Sequence, residues 1–214
     1  MALTGLFLCL FLVGHLAGNL QLIVNSGPEG QRIFNEYAAF MTTFPVVKLL
    51  SYLTYASVLF HVIDGIWLTL NNRKSRPVRY VKEKGAANSK WNSRNMGILG
   101  TIILVFLVSH MQTFWYKMHF GEMPMQDGLK DLYTVVVMFF SPQNPWGLVA
   151  VVGYVLAQAA LAFHLTHGFQ SGFQSLGLRH SKFTPIIEKT SVAFGVGVPA
   201  LFAIIPVYVY LTQL

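Results

Sequence analysis

Seven histidines stand in this chain of 214 residues, and four of them lie deep inside long apolar runs: His15, His61, His110 and His164. Neutral imidazole is a common metal ligand and a proton carrier, and an ionisable side chain facing lipid is costly enough to mark function. At about 1.5 Å of helical rise per residue, His15 and His110 fall roughly 20 Å from the basic ends of their runs, and His61 and His164 roughly 9–14 Å from theirs. The four therefore sort into two levels, with two histidines on different runs at each. Two imidazoles facing each other suit the two axial positions of a planar haem iron. Two levels then make two b-type haems stacked across a membrane, which is a route for electrons. A helix-to-helix hydrogen bond or a proton relay is the other reading of any single one of these histidines.

Neighbouring residues are read against that arrangement. His167 lies one turn beyond His164, where it could ligate in its place, bond a haem propionate or serve packing. Asp64 follows His61 by three; it caps or packs, or has a proton-linked or propionate-linked role. Glycine gives the close backbone approach that a porphyrin between helices needs. Gly14 and Gly18 flank His15, Gly65 and Gly168 follow His61 and His164 by four, and Gly97 and Gly100 lie on the run of His110. The single Cys9 excludes a disulfide framework, a cysteine zinc site, an iron–sulfur cluster and thioether-attached haem. No catalytic triad, metal-hydrolase site or phosphate loop is read in the chain, which is expected to be an electron-transfer subunit of an enzyme complex without catalysis of its own.

The elements that must position the histidines follow from composition. Hydrophobic residues make up 54% and charged residues 11%, against about 25% charged in a soluble domain. Such a chain cannot clothe a globular surface. Five runs, 3–24, 46–70, 96–116, 146–170 and 185–211, reach the roughly 20 residues a bilayer requires. All must be helices, because lipid cannot satisfy an open backbone. The fold is all-α: one domain over 1–214, a bundle of five transmembrane helices. The first run lacks the basic flank of a signal peptide. Ser26-Gly27-Pro28-Glu29-Gly30 reads as a turn. Asn144-Pro145 and Thr184-Pro185 read as N-cap plus first helical position. Segments 31–40 and 127–140 mix apolar and polar residues and suit the interface. Pro199 and Pro206 predict kinks in the last run.

Charge orients the bundle. Segment 73–94 holds Arg73, Lys74, Arg76, Arg79, Lys82, Lys84, Lys90 and Arg94, and Arg179 and Lys182 lie between the fourth and fifth runs. Glu29, Glu36, Glu122, Asp127 and Asp131 lie on the other side. Basic loops stay cytoplasmic, so the N-terminus is expected in the cytoplasm. The net charge of +7 is thus mainly a topology signal, with room for a cytoplasmic partner or anionic lipid, and it does not point to nucleic acid.

With these residues in place the chain resembles the di-haem cytochrome b membrane anchor of succinate dehydrogenase and fumarate reductase, in its single-anchor-subunit type. The resemblance spans all five runs. Its most specific parts are Thr4-Gly5-Leu6-Phe7 through Gly14-His15, and Phe163-His164 with Gly168 and Phe169-Gln170-Ser171. It implies a haem held by His61 and His164 nearer the soluble subunits, and a distal haem held by His15 and His110. It further implies a flavoprotein subunit with FAD, an iron–sulfur subunit with its clusters, and a membrane quinone, menaquinone foremost, as substrate. The setting it implies is a bacterial cytoplasmic membrane. Some fumarate-reducing members carry a proton-transferring glutamate two residues before the fourth-run histidine. Ala162 stands there, which turns the expectation toward succinate oxidation. Glu36, soon after the first run, is the candidate quinone carboxylate; a solvated interfacial glutamate is the alternative. The rival functions are the di-haem anchor of another respiratory complex, of fumarate reductase, hydrogenase or nitrate reductase type, and a transporter with a histidine proton relay.

Overall fold

In a computed structural model, residues 1–75, 87 and 89–213 are described. Helices dominate: α1 (Ala2–Val24), α2 (Gly27–Thr43), α3 (Pro45–Lys74), α4 (Trp91–Arg94), α5 (Met96–His110), a π-helical turn at Met111–Tyr116, α6 (Lys117–Phe120), α7 (Leu132–Phe140), α8 (Gly147–Ser175) and α9 (Thr184–Thr212). A small antiparallel hairpin pairs β1 (Met125–Gln126) with β2 (Leu129–Lys130). The five expected spans are α1, α3, α5 with its continuation to Phe120, α8 and α9, each long and apolar enough to cross a membrane. The molecule is an all-α, multi-pass membrane protein. Of the basic segment, Arg76, Arg79, Lys82 and Lys84 lie outside the described residues.

Three local expectations need correction. Ser26 to Gly30 is not a free turn: Ser26 is the extended N-cap of α2 and Pro28 sits in its first turn, where a missing N–H costs nothing. Asn144-Pro145 does not start α8. The Asn144 side chain accepts from the Trp146 N–H at 3.1 Å, and its own amide donates to the Phe139 carbonyl at 2.8 Å. That local pairing holds a turn, and the helix begins at Gly147. The interface segment 127–140 divides into hairpin and helix. Asp127 and Gly128 take φ of 50° and 80°, the positive pair that a tight Asp-Gly hairpin turn demands. Pro199 and Pro206 lie inside α9, both buried.

Side-chain size decides how closely the helices meet. α8 and α9 touch at Gly195, where an added Cβ would stand 2.7 Å from Thr166 N and Cγ2. Beside it, Ser191, 1% exposed, donates to the Thr166 carbonyl at 2.8 Å. This is the small-residue packing used where lipid offers no hydrophobic drive between helices. Gly195→Ala is expected to wedge the two helices apart and cost about 1–3 kcal/mol. Thermal unfolding in detergent checks it; a melting point equal to wild type would remove this contact from the account.

The core is lopsided. Leu16, Leu22, Phe34, Val136, Phe140, Val151, Ile205 and Val209 form one buried cluster, drawn from α1, α2, α7, α8 and α9 at the hairpin end. There α2 and α7 are clasped by polar groups. Asn35 is 1% exposed; its amide donates to Asp131 Oδ1 at 2.8 Å and its carbonyl accepts from the Tyr133 N–H at 3.0 Å. Gln31 donates to Asp131 Oδ2 at 2.7 Å and to Thr134 at 3.0 Å. α3 is the opposite case: of its 30 residues only Thr54 is buried.

Candidate functional site

The four histidines meet in two pairs. His15 of α1 and His110, the last residue of α5, have ring centroids 5.8 Å apart with planes at 89°. His61 of α3 and His164 of α8 lie 6.2 Å apart at 68°. Metal–nitrogen bonds of roughly 2 Å, plus about 1 Å from each nitrogen to its ring centre, put the rings of two opposed ligands about 6 Å apart. Both pairs hold that spacing. Among the described residues no group of three or more His, Cys, Asp or Glu could hold a bare metal ion. A macrocycle brings four ligands of its own and asks the protein for only two.

Ring nitrogens sort in the same direction. His110 Nδ1 lies 3.3 Å from the Tyr154 hydroxyl, His61 Nδ1 3.3 Å from the Thr4 hydroxyl, and His15 Nδ1 3.5 Å from the Asn19 amide, which donates to the His15 carbonyl at 2.8 Å. At His110 and His61 a hydroxyl oxygen can accept from Nδ1–H, which leaves Nε2 for a metal, as outer partners of ligating histidines commonly arrange; the Asn19 amide nitrogen can only donate and is spent on the His15 carbonyl. His164 differs: among the described residues its buried Nδ1 has no hydrogen-bond partner. A buried polar atom left unpaired costs about 1–3 kcal/mol.

Two helices measure the distance between levels independently. On α1, Gly5 abuts His61 (an added Cβ would stand 3.1 Å from its Cε1), while His15 meets His110. On α8, His164 meets His61 while Tyr154 meets His110. Ten residues on either helix make about 15 Å. Of the other glycines, Gly100 faces His164 at 3.9 Å, whereas Gly14 and Gly97 open on space. Gly18 serves a different purpose: Tyr37 of α2 packs over it, 2.6 Å from where a Cβ would be.

No family model matches the chain, and no curated protein or solved structure is similar to it. The reading therefore rests on the residues themselves.

Among the described residues no ring contact joins His167 to another histidine. Asp64 is paired with the amino group of Met1 at 2.7 Å. Glu36 is exposed on α2 and ion-paired with Arg32, which also holds Glu29; the Arg32 guanidinium keeps the Glu29 carboxyl below its ordinary range.

A further feature lies beyond the π-helical turn after His110. An open cleft of about 430 Å³ is lined by Thr113, Lys117, Thr134, Met138, Phe139 and Asn144, with Pro124 and Val135. Phe139 links it inward: its ring is 5.3 Å from Phe114 and 5.9 Å from Tyr154, and both of these touch His110. Sequence reasoning missed Tyr154 and this cleft, and it named Thr4 within a motif without its contact to His61. Tyr154 stands ten residues before His164, but no periodicity marks a tyrosine as the partner of a histidine on another helix.

Proposed function

We propose that this chain is the membrane anchor of a succinate dehydrogenase, passing electrons between an iron–sulfur subunit and membrane quinone through two bis-histidine b haems. The observation that carries the haem part is the spacing of the two histidine pairs, each suited to an iron between its rings. The succinate part is supported by the resemblance around Gly14-His15 and Phe163-His164, with Ala162 in place of a proton-transferring glutamate.

When bound, haem supplies reversible one-electron chemistry at iron. The chain's own part is to hold and orient. His61 and His164 would hold one group, and His15 and His110 the other. Thr4 and Tyr154 would accept from the Nδ1–H of His61 and His110, the ring nitrogens that turn away from the metal. Phe11 and Phe202 pack against His15, and Phe106 and Phe114 against His110, which would limit water at the hairpin-side pair. Thr113, Lys117, Thr134 and Asn144 offer polar contacts to a quinone head in the cleft, and Met138 and Phe139 offer apolar ones. Glu36 enters this proposal through its place in the sequence alone; its partner in the structure is Arg32. The end bearing Arg73, Lys74 and Lys90 is assigned to the cytoplasm, where the iron–sulfur and flavoprotein subunits would dock.

Purification in mild detergent tests the proposal. A reduced-minus-oxidised spectrum is expected to show two low-spin b-type components, and the co-purifying chains to oxidise succinate. A colourless protein would overturn the haem assignment and return the histidines to a proton relay. A hydrogenase or nitrate reductase partner would overturn the succinate assignment and leave the haems standing.

A further inference from the structure

The two histidine pairs differ in what stands behind them. The Tyr154 ring is packed between Phe106 and Phe140, at 4.9 and 4.8 Å, with Phe139 at 5.9 Å. A phenol held in such surroundings needs a partner for its hydroxyl. Among the described residues that partner is His110 Nδ1, at 3.3 Å. At the other level the hydroxyl is Thr4, which donates to the Met1 carbonyl at 2.9 Å and so turns its oxygen lone pairs toward His61 Nδ1.

From this geometry we infer that Tyr154 is a positioning residue that sets the redox potential of the group held by His15 and His110. The inference rests on the bis-histidine haem reading above. A neutral imidazole bound to iron through Nε2 keeps its proton on Nδ1. The His110 Nδ1–H then donates to the Tyr154 oxygen. Donation makes the ring a more basic ligand, which favours the higher-charged, ferric iron and lowers the potential. The same bond would help fix the rotation of the His110 ring about its side chain, beside the rings of Phe106 and Phe114.

Tyr154→Phe keeps the ring and its aromatic neighbours and deletes only the oxygen. Losing a hydrogen bond that is stronger when the iron is ferric is expected to raise the ferrous-to-ferric ratio of that component about threefold to tenfold at fixed ambient potential. This is an upward shift of roughly 30–60 mV, since tenfold is 59 mV for one electron. The readout is a spectroelectrochemical titration of the purified complex, with both components still low-spin. Thr4→Val provides the crossed control and is expected to move the other component alone. The inference is overturned if Tyr154→Phe leaves both midpoints in place, moves both equally, lowers the potential or makes the component high-spin. Wild-type protein without two low-spin components would instead overturn the underlying haem reading, and the inference with it.

Discussion

Replacing either His15 or His110 with alanine is expected to abolish one and the same haem component, while replacing either His61 or His164 abolishes the other. The warrant is geometric: each ring faces one partner histidine, 5.8 Å away in the first pair and 6.2 Å in the second. An iron with two imidazole ligands loses an axial bond when either is removed. Changes to mere second partners of metal ligands already cost about 10–100-fold in affinity, so deletion of a ligand should cost at least about tenfold in occupancy or leave a high-spin remnant. His167→Ala should retain both components. Spectra and redox titration of the five variants decide the matter. Loss of the same component in His15→Ala and His61→Ala would refute the pairing. Loss of a haem in His167→Ala, with both kept in His164→Ala, would refute the choice of His164.

The second large effect is expected at the polar clasp, away from the histidines. Asp131 is 5% exposed, caps α7 by accepting from the Thr134 N–H at 3.0 Å, and accepts from Asn35 and Gln31. Charge-assisted bonds of this kind are worth about 1.5–3 kcal/mol, and their loss strands two amides. Asp131→Ala is therefore expected to destabilise the protein by about 2–4 kcal/mol, and Asp131→Asn by about half as much. Acid adds a second signature. Burial pushes the Asp131 carboxyl up, but the bonds from Thr134, Asn35 and Gln31 outweigh it and hold the group below its ordinary value. Its folded pKa is thus depressed, so its contribution is complete above the unfolded value of about 3.9. That contribution drains away as pH falls through the lower folded value. Melting points in detergent should fall below about pH 4 in wild type and respond less in Asp131→Asn. An Asp131→Ala protein that melts with wild type would show that the clasp does not hold α2 to α7.

Hydrophobic run length made the five spans legible, since nothing else can cross a bilayer. Depth along a helix is simple arithmetic, so the two levels of histidine were also readable before any coordinates. Local pairing was harder to read. Asn144 looked like a helix cap because Asn before Pro commonly is one, yet its side chain closes a turn on Trp146 and Phe139. The Asp127-Gly128 dipeptide carried a hairpin signal that the surrounding apolar residues obscured. Contacts between helices left no trace in composition: Tyr37 over Gly18, Tyr154 behind His110, and Thr166 against Gly195 depend on the azimuth at which helices face each other. The π-helical turn after His110 alters that azimuth by inserting an extra residue, which a 3.6-residue period cannot foresee.

The order of the histidines along the chain has a consequence for assembly. The pairs interleave: first with third, second with fourth. Neither links neighbours in a hairpin, so the loops they would close overlap instead of nesting. Two groups bridging such pairs would act like crossed stitches: each would join an earlier span to a later one, so the first two spans could not part from the later two while both remain. Synthesis runs from α1 to α9, so the pair of His15 and His110 is complete once α5 has emerged, whereas the pair of His61 and His164 waits for α8. On the haem proposal, the hairpin-side group could thus be seated on a nascent bundle of three spans, and the later arrival of α8 would draw the last stitch.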